Sequence, residues 1–118
     1  MSLRIYTYSG CDGCRKALKY LAAKGVEVEN LPIRETPPTR DELAVMLAAY
    51  DGKFKKLFNT SGRDYREQKL SATIDSLSQD EAFALLQSNG NLVKRPFLIG
   101  EGVAIVGFKP ETWDVALT

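Results

Sequence analysis

The sequence contains no histidine and only two cysteines among its 118 residues. A structural zinc ion takes four ligands, usually Cys or His, so this chain cannot assemble such a set and no metal site is expected. No apolar run approaches the roughly 20 residues that cross a bilayer, and no signal-peptide pattern opens the chain, so neither membrane nor export is expected. Charge of one sign is also lacking. Sixteen basic against fifteen acidic residues give a net charge of +1, which calls for neither nucleic acid nor a membrane surface as partner. There is no internal repeat and no low-complexity tract.

The two cysteines stand together, in Tyr8-Ser9-Gly10-Cys11-Asp12-Gly13-Cys14-Arg15-Lys16. Before them, Leu3 to Tyr8 alternates with β-branched and aromatic residues and reads as a strand. After them, Arg15 to Lys24 carries Ala17, Leu18, Leu21 and Ala22 at helical spacing and stops at Gly25. The pair therefore sits where a strand turns into a helix. A helix start presents unpaired N–H groups and about half a positive charge, so it stabilises an anion such as a Cys11 thiolate. Cys14 follows by three residues, which places it on the same helix face.

That placement favours redox chemistry over its alternatives. Lowering a thiol from about 8.5 to about 6.5 raises its thiolate fraction at pH 7 about 25-fold. Intrinsic nucleophilicity falls about 8-fold over the same range, so attack gains only about threefold. The larger benefit goes to the thiol as a leaving group when its disulfide is reduced, which suits a cycling Cys-x-x-Cys. As a structural staple the pair would close only a four-residue loop, which removes little chain entropy. A lone Cys-x-x-Cys beside a strand–helix unit suits a reducing cytosol, so a cytoplasmic location is expected.

Further along, Val26 to Leu31 reads as a second strand, parallel to the first through the helix between them. Thr39-Arg40-Asp41-Glu42 and Ser78-Gln79-Asp80-Glu81 are capping boxes that open two helices. Leu43, Val45, Met46, Leu47 and Ala49 are expected on the buried side of the first; Ala82, Phe83, Leu85 and Leu86 follow the second. Between them Phe54, Leu57 and Phe58 anchor a helical turn, Tyr65 to Leu70 reads as a short helix, and Lys53, Lys55 and Lys56 read as a solvated face. Phe97-Leu98-Ile99 and Val103 to Val106, joined by Gly100-Glu101-Gly102, read as a hairpin. A helix from Lys109 with Trp113, Val115 and Leu117 closes the chain. The expected architecture is α/β: a four-stranded mixed sheet in the order β-α-β, helical insertion at about 39–90, β-β-α, as one domain over 1–118. Nothing demands more than a monomer.

This order resembles the thioredoxin fold and, more narrowly, the ArsC/Spx family. The matching pieces are Cys11-Asp12-Gly13-Cys14-Arg15-Lys16-Ala17, Leu57 to Gly62, Lys94-Arg95-Pro96-Phe97-Leu98-Ile99 and Val106-Gly107-Phe108. The resemblance implies a thiol-dependent reductase, with Cys11 as nucleophile and Cys14 as the second redox cysteine of the Spx-like branch. It implies Arg95 beside the thiolate, Pro96 after a cis peptide bond, and Arg63 and Lys109 as anion-binding groups. Glutathione, glutaredoxin or thioredoxin is the implied reductant. Two alternatives come with the family: a redox-sensing regulator that binds RNA polymerase through its alpha subunit, and an arsenate reductase proper. The arsenate reductases carry a histidine four residues before the nucleophile, where this chain has Thr7, and lack the second cysteine. The basic tail of the Spx regulators has no counterpart at Trp113 to Thr118.

Overall fold

The computed structural model describes residues 3–117; Met1, Ser2 and Thr118 lie outside the described residues. Strands β1 (Arg4–Thr7), β2 (Glu29–Pro32), β3 (Phe97–Gly100) and β4 (Val103–Val106) form one sheet in the order β2-β1-β3-β4. β1 and β2 run parallel, joined by α1 (Asp12–Ala23), while β3 and β4 are antiparallel additions. Four helices lie between β2 and β3: α2 (Arg40–Ala49), α3 (Arg63–Glu67), α4 (Leu70–Thr73) and α5 (Gln79–Ser88). Two 3-10 turns join them, at Phe54–Leu57 and Ile74–Ser76, a third at Gly90–Leu92 leads from α5 toward β3, and α6 (Pro110–Ala116) follows β4. The mixed α/β sheet expected from the sequence is present.

The period of two along each strand sends alternate side chains to opposite faces. Tyr6, Phe97 and Ile99 join Met46, Leu47, Phe58 and Phe83 in a large cluster beneath the helical insertion. Ile5, Leu98 and Ile105 join Ala17, Leu21 and Trp113 in a smaller one under α1 and α6. Glu42 ties the insertion to the sheet. Its carboxylate accepts from Tyr6 Oη at 2.5 Å and from Arg4 Nη1 at 3.0 Å while closing the capping box on Thr39. Burial, together with that carboxylate, holds the Tyr6 phenol well above its ordinary range.

Several local expectations shift. The second strand begins at Glu29, because the Val26 N–H closes the end of α1 on Leu21 O, and Val26 and Val28 pack into the smaller cluster. Pro32 ends β2 without loss of a ladder bond, since β2 is an edge strand. Val45 is 55 % exposed and Ala49 is exposed as well. The buried stripe of α2 is Leu43, Met46 and Leu47, spaced i, i+3, i+4, and those two residues fall outside it. Val115 is likewise 78 % exposed, whereas Leu117 packs against the smaller cluster with Trp113. The segment Tyr65–Leu70 divides into α3 and α4 at Lys69, whose φ of 54° is left-handed. The hairpin turns at Glu101 and Gly102, both at positive φ, the conformation that matches the twist of a two-residue loop.

Candidate functional site

Cys11 is the N-cap of α1, a position where Ser, Thr, Asp or Asn normally supplies an oxygen. Here sulfur takes that role: Cys11 Sγ accepts the backbone N–H of Cys14 at 3.2 Å. An extended backbone at Cys11 (φ −101°, ψ 116°) aims the side chain over the first turn. The helix therefore starts at Asp12, earlier than the apolar spacing suggested, and Cys14 lies in its first turn. Both cysteines are free thiols; Cys11 is half-buried and Cys14 is 1 % exposed. Burial, then the hydrogen bond with Cys11, pushes the Cys14 thiol up to about 12, while the Tyr8 backbone and the Arg95 charge act the other way.

Residues at the ends of three strands converge on this turn. The Arg95–Pro96 peptide bond is cis, as the resemblance implied, and the buried Pro96 immediately precedes β3, which pairs with β1. A Cβ placed on Gly13 would stand 3.9 Å from both Cys11 Sγ and Pro96 Cδ, so the proline ring and the sulfur approach the same backbone atom. The Arg95 guanidinium lies 5.0 Å from the centre of the Tyr8 ring, and the Tyr8 carbonyl accepts the Cys11 N–H at 3.0 Å. Thr7 is buried and donates its hydroxyl to Asn30 Oδ1 at 2.6 Å across the β1–β2 pair. Its side chain is thereby committed to the sheet.

Against Tyr8 and Arg95 opens a cavity of about 180 Å³, lined also by Arg34, Asn59, Arg63 and Asn91, with Gly62 and Asp64. Arg34 was not singled out from the sequence. Its guanidinium stands 4.9 Å from the same Tyr8 ring that carries Arg95. Parallel pairing of β1 and β2 explains the meeting: their carboxyl ends share one edge of the sheet, where α/β folds place ligands. A basic residue just past the second strand was the available signal. Asp64 accepts from Asn89 at 2.9 Å and Asn91 at 3.1 Å, and these hydrogen bonds hold its carboxyl below the usual range. Arg95 Nη1 is buried with no hydrogen-bond partner among the described residues, so one donor of its fork is unpaired. Arg63 lies on the rim, 79 % exposed and 3.9 Å from Glu67.

Lys109 stands elsewhere. It follows β4 and lines a separate, larger cleft with Lys94 and Lys53. Two residues before Lys109 the Gly107 N–H bonds to Pro96 O at 2.9 Å, yet Lys109 is not among the residues that line the small cavity. A third cation for the small cavity is thus supplied by Arg34 and not by Lys109. Among the described residues no group of three or more His, Cys, Asp or Glu is placed to hold a metal ion.

The chain is 40 % identical to YusI of Bacillus subtilis over 114 residues, covering 97 % of each. It is 29 % identical over 107 residues to the global transcriptional regulator Spx of Listeria innocua, covering 91 % of this chain and 80 % of Spx. A solved structure described as a possible arsenate reductase of Streptococcus mutans superposes with a TM-score of 0.86 at 35 % identity, over 96 % of this chain and 98 % of that one. Residues 6–116 match the ArsC family, and with that match this chain belongs to the ArsC family of thioredoxin-like proteins.

Proposed function

We propose that the protein is a thiol–disulfide reductase that cycles Cys11 and Cys14. The supporting observation is the sulfur cap: Cys11 Sγ, half-exposed, accepts the Cys14 N–H at 3.2 Å directly over a buried partner thiol. In the first step the Cys11 thiolate attacks one sulfur of a substrate disulfide. A Cys11 mixed disulfide forms and the other half leaves as a thiolate, which takes up a proton. Cys14 then loses its proton to solvent or to the second leaving thiolate and attacks Cys11 Sγ. This releases the bound half and closes the Cys11–Cys14 disulfide. A dithiol or two molecules of glutathione restore the pair, with glutaredoxin or thioredoxin as protein reductants of the right chemistry. The arginine cavity receives the anionic part of the substrate or of the glutathione carboxylates through the Arg34, Arg63 and Arg95 forks.

Burial protects Cys14 from spending itself on external oxidants. Its thiol stays protonated until the mixed disulfide places an electrophilic sulfur beside it. Cys11→Ser is expected to abolish disulfide reduction. Cys14→Ser is expected to make the first attack and stall, so that a Cys11 mixed disulfide accumulates and is read by mass spectrometry. Turnover by Cys14→Ser at the wild-type rate, with a small disulfide as substrate, would remove the two-cysteine cycle and favour a one-cysteine reductase.

Kinship to Spx supports a second reading, in which the same disulfide acts as a switch for binding the RNA polymerase alpha subunit. Co-purification with that subunit that changes between the dithiol and disulfide forms would establish it. Arsenate reduction is the third, supported by the likeness to the Streptococcus mutans protein. It predicts glutathione-dependent arsenite release that survives loss of Cys14.

A further inference from the structure

The second cavity, of about 910 Å³, lies on the β4 side of the sheet. One wall is the end of α2 and the turn that follows it, which contribute Lys53, Lys55 and Lys56. The other wall contributes Lys94 and Lys109. Read along the sequence, the first three looked like a solvated face; folding brings two more lysines to the same cleft. Asp75 is the single carboxylate among its lining residues. Among the described residues, none of these five ammonium groups lies within ion-pair distance of a carboxylate, unlike Arg4, Lys24 and Arg40. The chain as a whole carries only +1, so positive charge is concentrated here against a near-neutral background.

Between the lysines the cleft is apolar. Phe54 and Phe108 are half-buried in its lining, and Phe108 packs edge-on against the buried Trp113 at 5.0 Å between ring centres. Trp113 in turn donates to Gly107 O at 3.0 Å, which holds this floor in place. At the end of β4 that faces the cleft, Tyr50 Oη accepts the Val106 N–H at 3.1 Å. A ligand there would contact side chains and would not extend the sheet past Val106.

We propose that this cleft docks an acidic segment of another protein, with carboxylates on the lysines and an apolar side chain between Phe54 and Phe108. Charge complementarity carries the choice. Lysines are flexible point charges without the fork that seizes one compact anion, and five spread around a large cleft match charges that are themselves spread out. A nucleic-acid backbone would need a continuous cationic track beyond the cleft, and the remaining surface carries nearly all the acidic residues. Such pairs at a rim act mainly on encounter rate and on partner choice. The inference stands apart from the sulfur chemistry, since none of these residues lines the arginine cavity.

The test uses the full-length protein and a fluorescein-labelled peptide of Asp and Glu around a central Phe, followed by anisotropy at low salt and by the emission of Trp113, the single tryptophan. Saturable binding is expected, weakened at least about tenfold by the combined Lys55→Glu and Lys56→Glu changes and again by Lys109→Glu. Lys55→Gln with Lys56→Gln should weaken it less. All of these variants should keep the wild-type rate of Cys11 alkylation, which also reports that they fold. Absence of saturable binding, equal binding of the Asn/Gln version of the peptide, or indifference to charge reversal would overturn the proposal. Tighter binding of a single-stranded oligothymidylate than of the acidic peptide would also overturn it, reassigning the cleft to nucleic acid.

Discussion

Lys94 and Arg95 are adjacent in the chain yet line different cavities, and so do Asn59 and Thr60. What separates them is a short ladder outside the main sheet. Phe58 bridges Val93, Asn59 N–H bonds to Leu92 O at 2.7 Å, and Lys94 N–H bonds to Leu57 O at 2.7 Å. Extended backbone alternates its side chains, so the two residues leaving the ladder point to opposite sides. On the β2 side stands a small cavity of arginines against one tyrosine ring; on the β4 side stands a wide cleft of lysines over phenylalanines. The contrast separates two uses of positive charge: planar forks held on a ring bind a compact anion, whereas mobile point charges suit a dispersed one.

The sharpest way to break the comparison is to collapse one side alone. A Cβ on Gly90 would stand 1.9 Å from Ile33 O and 2.9 Å from Arg34 Cα, backbone that cannot swing aside. Gly90→Ala is expected to cost about 3 kcal/mol of stability by overpacking, seen as a lower urea midpoint. The arginine cavity should be lost with it, because the Ile33–Arg34 segment is displaced. If Gly90→Ala matches wild type in stability and in anion binding, the close approach is not what seats Arg34.

Smaller but still large is the difference between the two sulfurs. With the Cys14 thiol raised to about 12, iodoacetamide at pH 7 should label Cys11 at least about a hundredfold faster than Cys14. The same shift carries a sign for stability. A thiol whose folded value lies above its unfolded one contributes fully below about 9, and the contribution is lost as pH rises from there toward 12. Wild-type protein should therefore weaken on that alkaline limb, and Cys14→Ala should flatten it. Equal labelling of both thiols would contradict the asymmetry.

The smallest expected effect tests the cations. Arg95→Lys keeps the charge but removes the fork and its contact with Tyr8. Sulfate affinity measured by calorimetry is expected to fall about tenfold, roughly 1.4 kcal/mol. Lys109→Gln should leave that affinity unchanged. An effect of Lys109→Gln as large as that of Arg95→Lys would return Lys109 to the sulfur side and erase the distinction.

Much of this was legible before folding, for identifiable reasons. Cys11 and Cys14 are close in sequence, and a strand pattern meeting a helix pattern locates them whatever the rest of the chain does. The capping boxes at Thr39 and Ser78 and the glycine-bearing hairpin turn are likewise local chemistry, and all three are present. Val45 and Val115 are apolar yet exposed, because hydropathy alone does not say which face of a helix points outward. Arg34 escaped notice because its partners Tyr8 and Arg95 are 26 and 61 residues away in sequence. Family position groups Lys109 with the cysteines, whereas in the structure it lines the lysine cleft and not the arginine cavity.

By itself the sequence determined the order of the main elements, the two capping boxes and the placement of both cysteines at the strand–helix turn, since each depends on hydrogen bonds and periodicities within a few residues. The tertiary structure alone decided which cations share a cavity. That depends on strand order and on a ladder between residues 57–59 and 92–94, and neighbours in space need not be neighbours in the chain.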